Sequence, residues 1–276
     1  MMEKLPIQVG ILSYKAPKTL AATLENYRLR GLLDIVEKMV IFLNGASGED
    51  EKVALEYGLE YRANPDNLGI QGGMRWVSET LEGPWILHLE NDCPMTADKE
   101  TAYEDLQFAL SLLKTGRADV VRMRSRFTPG EDFCDVEKYT KMYRVTDIDP
   151  RFTELDKINK PKTWKRLFRP VKARIISGRS LYIEKNPDIL FPMDIKKVTD
   201  NWYVADSATT DWTNQSVLLG RDFYLRMLDY ADAHPSARTV AGKQDMEKPL
   251  NCRWWRGQHF KIAQGNGIFT HKRLDR

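Results

Sequence analysis

An apolar run that ends in two carboxylates constrains the fold of this chain more than any other segment. The apolar run covers residues 85–89, and Glu90-Asn91-Asp92 follows it directly. A continuous apolar run of this length is typical of a buried strand in a parallel sheet. Ligands of such sheets bind just beyond the carboxyl ends of the strands. The run therefore predicts a buried central strand that delivers Glu90 and Asp92 to the edge where ligands bind.

Strand-like and helix-like patterns alternate before this run. The sequence predicts, in order, a strand at 7–12, a helix at 17–30, a strand at 39–43, a helix at 52–57, a strand at 59–62 and a helix at 71–81. Alternation at this spacing favours right-handed βαβ crossovers. The predicted fold class is therefore α/β, with a mainly parallel central sheet flanked by helices.

The second part of the chain is less regular. A helix at 103–113 and a strand at 119–123 continue the pattern. Residues 127–170 contain no long periodic segment, and we expect an extended loop region there. A strand pair is predicted at 175–183. We expect residues 1–276 to form one domain, with a first half at about 1–118 and an irregular second half at about 119–276.

Charge and cysteine content exclude several classes of protein. Lys and Arg total 42 against 39 Asp and Glu, and a net charge of +3 does not indicate nucleic acid as a partner. The odd set Cys93, Cys134 and Cys252 has no Cys-x-x-Cys spacing, which argues against a disulfide framework or a zinc site. No signal-like segment or apolar stretch of about 18 residues is present. We therefore expect a cytoplasmic protein without a membrane span.

Two carboxylates two residues apart suggest a metal site. Glu90 and Asp92 could supply oxygen ligands to a hard cation such as Mg²⁺ or Mn²⁺, which in turn holds the phosphates of a substrate. The alternative is a strand followed by an ordinary polar turn. The run alone leaves both interpretations open.

Four segments of the first half together resemble a known family. They are Ile7 to Tyr14, Phe42-Leu43-Asn44-Gly45, Asn67-Leu68-Gly69 with Gly72-Gly73, and Leu89-Glu90-Asn91-Asp92. Their order and spacing resemble the GT-A glycosyltransferases, in particular the family 2 group that uses nucleotide-diphosphate sugars. The resemblance implies a Rossmann-like GT-A fold and a nucleotide-sugar site formed by Ser13, Tyr14, Asn44, Asn67, Gly69, Arg75, Glu90 and Asn91.

Three segments of the second half are also similar to this family. Residues 176–183 resemble its acceptor-side Ser-Gly segment, which implies that Gly178 and Arg179 bind the acceptor together with Trp212. Thr210-Asp211-Trp212, before a helix predicted at 214–219, resembles the element that carries the catalytic base. Residues 265–271 resemble a C-terminal signature, which implies that His271 joins Glu90 and Asp92 at the metal.

The chain departs from the family at three positions. Leu43-Asn44 replaces a common Asp pair, so the preferred base of the nucleotide is left open, although an amide can read a base edge. The metal motif begins with Glu90 instead of Asp, which leaves Asp92 as the better placed ligand. Met74-Arg75 replaces a basic-then-Asn pair, so a phosphate contact by Arg75 is the weakest implication.

The resemblance implies an inverting, metal-assisted transfer of a sugar to a hydroxyl of a glycan or lipid-linked acceptor. Asp211 would be the general base, a role typically worth about 10²- to 10⁴-fold in rate. Asp211 is alternatively a helix N-cap, with Asp206 as the substitute base. His271 is alternatively a packed or solvated imidazole.

Two clusters of basic residues have more than one interpretation. Residues 160–174 carry seven Lys and Arg and no acid, interleaved with Trp164 and Phe168. This segment is either a solvated face or a site for an anionic acceptor or an anionic membrane. Arg122, Arg124 and Arg126 share one face of the predicted strand, where they repel one another unless carboxylates or a ligand meet them.

The sequence leaves three alternative functions open. A nucleotidyltransferase usually has a Gly-rich basic first loop, but residues 13–17 contain no glycine. A non-catalytic glycan or nucleotide-sugar binding module would explain the fold without the chemistry. A nucleic-acid-binding protein could use the basic segment with its aromatic residues, but the near-neutral net charge disfavours it. Donor, linkage and oligomeric state are left open by the sequence.

Overall fold

The computed structural model describes residues 2–131, 135–146 and 164–275, with the side chain of Lys165 left out. One nine-stranded sheet runs through these residues. Its strands are β1 (Leu5–Ser13), β2 (Val36–Asn44), β3 (Glu60–Asn64), β4 (Trp85–Glu90), β5 (Val120–Arg124), β6 (Ile195–Thr199), β7 (Trp202–Asp206), β8 (Val217–Gly220) and β9 (Lys261–Phe269). Their order across the sheet is β3-β2-β1-β4-β8-β5-β9-β7-β6.

Thirteen helices are described. They are α1 (Pro17–Leu29), α2 (Leu32–Ile35), α3 (Gly48–Glu56), α4 (Gly69–Thr80), α5 (Lys99–Lys114), α6 (Asp135–Thr140), α7 (Trp164–Phe168), α8 (Pro170–Ser177), α9 (Ser180–Ile183), α10 (Pro187–Leu190), α11 (Arg221–Ala233), α12 (Glu247–Leu250) and α13 (Arg253–Gly257). No helix within the described ranges is long and apolar enough to cross a membrane.

The first four strands form the parallel half of the sheet. β1 pairs in parallel with both β2 and β4, and β2 pairs in parallel with β3. The strand predicted from the apolar run is β4, whose Ile86 to Leu89 are fully buried at the centre of the sheet. The predicted α/β class and the βα alternation over the first ninety residues are confirmed.

The second half of the chain adds antiparallel strands and makes the sheet mixed. β8 lies antiparallel between β4 and β5, and β7 is antiparallel to β9 and β6. Among the described strands, only the β5–β9 pair adds a further parallel ladder. Short helices and loops join these later strands, so the strands enter the sheet in either direction.

Two predicted elements of the second half are wrong. The strand pair at 175–183 is replaced by α8 and α9, because Pro170 starts a helix and helical spacing buries Ala173 and Ile176. The helix at 214–219 is replaced by β8, preceded by Ser216 with φ of 46°. Residues 217–219 are fully buried between β4 and β5, and this tertiary position overrides the local pattern.

Helices cover both faces of the sheet. One apolar core contains side chains of α1, α3 and α5, and the other contains side chains of α4 and α11. Part of the predicted loop at 127–170 is helical instead, since α6 buries Tyr139 in a small aromatic cluster. Residues 132–134 and 147–163 of that loop, with Cys134, Lys160 and Lys162, lie outside the described residues. The division of the domain near residue 118 stays a prediction.

Candidate active site

The ends of β1 and β4 are joined by hydrogen bonds at the predicted edge of the sheet. Leu12 pairs with Glu90 in the ladder between these strands. The main-chain N–H of Asn91 donates to the carbonyl oxygen of Leu12 at 3.0 Å, and Nδ2 of Asn91 donates to Oγ of Ser13 at 3.1 Å. Ser13 and Asn91 are buried, so they hold the chain just after β4 in one conformation.

A cluster of three potential metal ligands lies immediately after β4. Glu90, Asp92 and His271 each offer one ligand atom, and these atoms lie within 4.8 Å of one another. Nε2 of His271 is buried and lacks a well-formed hydrogen bond among the described residues, although Oδ2 of Asp92 is 2.9 Å away. Nδ1 of His271 lies 3.1 Å from the carbonyl oxygen of Glu131, which suits an imidazole whose Nε2 faces a metal. The three residues therefore fit a divalent cation such as Mn²⁺ or Mg²⁺.

The two carboxylates of this cluster have opposite pKa shifts. Burial, together with the negative charge of Asp92, raises the pKa of Glu90 to about 8. Burial also acts to raise the pKa of Asp92, but the interactions of its carboxylate with His271 and with the guanidinium of Arg273 outweigh burial and lower that pKa. Glu90 is thus protonated at neutral pH while Asp92 is ionised, and a cation would allow both to ionise.

A C-terminal segment crosses the strand ends beside this cluster. Nε of Arg273 donates to Oδ2 of Asp92 at 2.9 Å, and the N–H of Lys272 donates to the carbonyl oxygen of Asp92 at 2.8 Å. The carboxylate of Asp275 accepts from the main-chain N–H groups of Lys18 and Thr19 at the start of α1. Sequence reasoning missed Arg273, whose single signal is its position two residues after His271.

A cavity of about 440 Å³, here named the strand-end cavity, opens beside the metal-ligand cluster. Its walls include Leu12, Tyr14, Asn44, Asn67, Gly69, Glu90, Asn91, Lys243 and Arg273. The ring of Tyr14 is half exposed and lies against Gly45, where a Cβ atom would come within 2.9 Å of it. The exposed ring of Tyr14 suits a flat base, and the lining cations Lys15, Lys243 and Arg273 suit a phosphate group.

Asn44 organises the wall of the strand-end cavity. Oδ1 of Asn44 accepts from the N–H of Leu68 at 2.7 Å, and Nδ2 of Asn44 donates to the carbonyl oxygen of Gly69 at 3.1 Å. Oδ1 of Asn67 accepts from the N–H of Gly69 at 2.8 Å. Gly69 has φ of +75°, and a Cβ there would lie 2.5 Å from Cβ of Lys243. These bonds hold the loop, so the polar groups of Asn44 are engaged by main chain.

Arg75 lies apart from these residues. Its Nη2 is 2.8 Å from a carboxylate oxygen of Asp229 and also contacts Asp232, both on α11. The guanidinium therefore bridges α4 and α11, and Arg75 is absent from the walls of the strand-end cavity. We assign it no part in phosphate binding.

A second cavity of about 320 Å³, here named the arginine-lined cavity, contains the predicted acceptor residues. Its walls include Arg122, Arg124, Lys138, Gly178, Arg179, Asp211, Trp212 and Glu247. The carboxylate of Asp211 lies 3.1 Å from Nη2 of Arg179 and also contacts Arg256. Because α11 begins at Arg221 and Asp211 lies in the β7–β8 connection, the helix N-cap alternative for Asp211 is wrong.

Two other residues considered for this region, Trp212 and Asp206, are engaged by contacts of their own. Trp212 is buried and packs edge-on against Trp255 at 5.7 Å, so its ring belongs mainly to the core. Oδ2 of Asp206 lies 2.9 Å from Nδ1 of His259. Asp206 is not among the residues that line either cavity.

Sequence reasoning missed two carboxylates whose charges act on Glu90, the buried Asp245 and the partly buried Glu247. Oδ1 of Asp245 accepts from Nδ2 of Asn214 at 2.6 Å, and the described hydrogen bonds to this carboxylate all fall on Oδ1. Burial, followed by the charge of Asp245, raises the pKa of Glu247. The charges of both carboxylates also act to raise the pKa of Glu90. The available signal was Asp245-x-Glu247, the spacing seen at Glu90-x-Asp92.

The three alternating arginines are met mainly by main-chain carbonyl groups. Arg122 donates to the carbonyl oxygen of Asp211, Arg124 to that of Pro129, and Arg126 to that of Glu184. The expectation that carboxylates or a ligand must meet them is therefore incomplete. Carbonyl oxygens thus accept hydrogen bonds from all three guanidinium groups.

A scan against protein-family models and a search of the curated proteins gave no match. Among solved structures, the chain is similar to S. aureus TarS 1-349, with 12% identity and a TM-score of 0.47 over 97% of this chain and 60% of that chain. It is also similar to glucosyl-3-phosphoglycerate synthase from Mycobacterium tuberculosis in complex with Mn²⁺, UDP and glucosyl-3-phosphoglycerate, with 12% identity and a TM-score of 0.45 over 97% and 72% of the two chains.

A third similar structure is a mannosyltransferase from Pyrobaculum calidifontis in complex with GDP-Man and Mn²⁺. The identity is 14% and the TM-score 0.39, over 52% of this chain and 42% of that chain. The chain thus spans well under two thirds of the length of the mannosyltransferase and of TarS 1-349. Similarities this low carry no information on substrate or mechanism.

Proposed function

We propose that this protein is a metal-assisted glycosyltransferase that moves a sugar from a nucleotide-diphosphate donor to a hydroxyl of a glycan or lipid-linked acceptor. The observation that carries the proposal is the position of Glu90, Asp92 and His271. Glu90 lines the strand-end cavity, so the cluster lies beside the proposed donor site. A transferase of this kind needs a charged centre beside the donor site, where it can hold the leaving diphosphate.

The strand-end cavity is the proposed donor site. Tyr14 offers an aromatic face to the base, and Asn44, Asn67 and Gly69 also line this cavity. Lys243 and Arg273 supply two cations for the diphosphate. Charge-assisted hydrogen bonds from such cations are about twice as strong as neutral ones, so they would hold the diphosphate firmly.

Glu90, Asp92 and His271 are the residues that would hold the metal. A divalent cation bound there would act as a Lewis acid toward the leaving diphosphate. Arg273, which hydrogen-bonds Asp92, is placed to share a diphosphate oxygen and to return to Asp92 after release. Ser13 and Asn91 keep the metal-binding chain fixed behind this site.

The arginine-lined cavity is the proposed acceptor site, and the attacking hydroxyl needs a general base. The family resemblance implies Asp211, but Arg179 and Arg256 engage its two oxygens. Oδ2 of Asp245 accepts no hydrogen bond from the described residues, and its charge is felt by Glu90. Because Oδ2 of Asp245 accepts no described hydrogen bond, we propose Asp245 as the base in place of Asp211. Attack by the acceptor hydroxyl on the face of the sugar opposite the diphosphate would invert the configuration at the anomeric carbon.

A panel of nucleotides tests the donor and metal parts of the proposal. UDP, GDP, dTDP, CDP and their common sugars would each be added with Mn²⁺, with Mg²⁺ and with EDTA, and the melting temperature recorded. A ligand at a hundred times its Kd stabilises the folded state by about 2.7 kcal/mol, which shifts Tm by several degrees. We expect a metal-dependent shift with one nucleotide. The absence of a shift with every nucleotide in the presence of metal would contradict the proposal.

Once the donor is known, the stereochemistry of the product tests the mechanism. NMR of the sugar released to water or acceptor reports the configuration at the anomeric carbon directly. We expect inversion. Retention would refute both the in-line attack and the need for a general base on the acceptor side.

A further inference from the structure

The helices α7 and α8 expose an unusual number of apolar side chains. Trp164 is 56% exposed, Leu167 81%, Phe168 77% and Val171 73%. These four side chains lie within eight consecutive residues and form what we name the α7–α8 surface. Single apolar side chains scattered over a surface are ordinary, whereas a contiguous group of large ones marks a site of interaction.

Basic residues surround this apolar group. Arg166, Arg169 and Lys172 alternate with the exposed apolar residues, and residues 164–174 contain no acidic side chain. Arg169 and Lys172 are exposed. Arg166 lies over the ring of Tyr143 at 5.4 Å. The α7–α8 surface is therefore both apolar and positively charged.

The opposite side of α8 packs against the protein, so the helix already contributes its core-facing residues and the exposed apolar side chains are additional to them. Ala173 and Ile176 are buried in the cluster that also contains Tyr139 and Tyr182. Oη of Tyr143 donates to the carbonyl oxygen of Ala173 at 2.9 Å. This anchoring fixes α8 against the protein and presents Val171 and Lys172 outward.

Residues on and just after α10 extend the exposed apolar area. Arg174 of α8 binds a carboxylate oxygen of Asp194 at 2.9 Å, which holds the segment after α10 close to α8. Met193, the residue next to Asp194, is 88% exposed, and Ile189 of α10 is 73% exposed.

We propose that the α7–α8 surface docks this protein onto an anionic lipid membrane. Large apolar side chains can enter the boundary between headgroups and acyl chains while Arg and Lys remain with the phosphate groups. Charge complementarity selects this occupant. A second copy of the same surface would bring Arg169 and Lys172 against their own like charges, whereas an anionic headgroup layer neutralises them.

The docked orientation would also serve the proposed glycosyltransferase activity. This part of the inference rests on that proposed function. α8 leads directly into Gly178 and Arg179, which line the arginine-lined cavity. Docking through α7 and the start of α8 would bring the acceptor cavity toward the bilayer. An acceptor with a lipid anchor and a phosphate near its sugar is the class that this geometry would favour.

Sedimentation of the full chain with lipid vesicles tests the docking. Vesicles of phosphatidylcholine alone and vesicles with phosphatidylglycerol would be compared, at low and high NaCl, without nucleotide or metal. We expect binding to the anionic vesicles that weakens at high salt, because the headgroup field is screened. Equal binding to both vesicles, or no binding to the anionic ones, would overturn the proposal.

Two double variants separate the apolar and charged contributions. Arg169→Gln with Lys172→Gln should weaken binding by about fivefold per cation removed. Leu167→Glu with Phe168→Glu should reduce it by more than about tenfold. Leu55→Glu is the matched control, since Leu55 is 64% exposed on α3, and it should bind as the unmodified chain does. All three variants change exposed side chains, so an unchanged Tm verifies folding.

Self-association of the α7–α8 surface would give a different result from membrane docking. If Leu167→Glu with Phe168→Glu abolishes a concentration-dependent dimer seen by analytical ultracentrifugation, and leaves vesicle binding intact, the surface binds a second copy and the membrane proposal is wrong. Vesicle binding requires no donor, so its failure leaves the nucleotide thermal-shift result untouched. Failure of the nucleotide test likewise leaves the docking result standing.

Discussion

Arg273 donates a hydrogen bond from Nε to Oδ2 of Asp92 at 2.9 Å, although 181 positions separate them in the sequence. The same carboxylate oxygen lies 2.9 Å from Nε2 of His271. The C-terminal segment therefore brings a guanidinium and an imidazole to a carboxylate at the end of β4. In the proposed enzyme, this contact joins the metal site to a cation that can also meet a diphosphate.

Replacement of Asp92 by Asn should abolish metal-dependent nucleotide binding. The amide keeps the shape of the side chain but loses the charge that holds a cation and pairs with Arg273. We expect the Mn²⁺-dependent Tm shift to disappear, whereas any metal-independent shift persists. Arg273→Gln is the companion variant. It keeps all three proposed ligands, so it should retain metal binding and weaken nucleotide affinity, and loss of metal binding in it would argue against the proposed ligand set.

Metal affinity should increase with pH through the titration of Glu90. Burial, and next the charge of Asp92, raises the pKa of Glu90 to about 8, so a cation must displace a proton below that pH. Affinity should then rise by up to about tenfold per pH unit and level off above pH 8. Titration of Mn²⁺ at pH 6.5, 7.5 and 8.5, followed by Tm, measures this. Glu90→Gln should remove the dependence.

The stability of the metal-free protein should change in the opposite sense. Glu90 in the unfolded chain releases its proton near 4.5, but in the folded chain only near 8. Between these values the folded state binds more protons than the unfolded state, so the contribution of Glu90 to the free energy of unfolding falls as pH rises. Urea unfolding of the unmodified chain and of Glu90→Gln isolates that contribution. A difference between them that does not depend on pH would contradict the assigned pKa.

Asp245→Asn should reduce turnover more than Asp211→Asn does. A general base is typically worth about 10²- to 10⁴-fold, and Asp245 has an oxygen without a described hydrogen bond beside the cluster. Release of nucleotide diphosphate from the donor identified by thermal shift gives kcat and KM for both variants. We expect kcat to fall and KM to change little in Asp245→Asn. A larger fall in kcat for Asp211→Asn would restore the base that the family resemblance implies.

Asp275→Ala should destabilise the fold through the start of α1. Ala16 offers no side-chain cap there, and Asp275 instead accepts from the N–H of Thr19 at 2.8 Å. Loss of a cap lowers the free energy of unfolding by about 1 kcal/mol. Urea denaturation measures the change. Asp275→Asn keeps an acceptor oxygen and should lose less, and an equal loss in both variants would show that charge, not capping, is responsible.

Local patterning predicted the elements that precede β5. The alternation of short apolar runs with helical spacing is a property of neighbouring residues, so β1 to β4 and the helices α1, α3 and α4 followed from sequence, whereas the short α2 did not. Local patterning failed at α8, α9 and β8. Neither the residues at 175–183 nor those at 214–219 show a clear helical or strand periodicity. Their conformation therefore depends on the tertiary contacts that bury them.

In the candidate site, too, some features follow from the sequence and others only from the tertiary structure. The position of Glu90 and Asp92 at the end of a buried strand is determined by the sequence alone, because a parallel strand directs its last residues to the ligand-binding edge. The family resemblance implied His271 beside Asp92, but only the tertiary structure decided that Arg273 reaches Asp92, that the charges of Asp245 and Glu247 act on Glu90, and that Arg75 points to α11. These contacts join residues more than 150 positions apart, and no local spacing encodes how the chain brings them together.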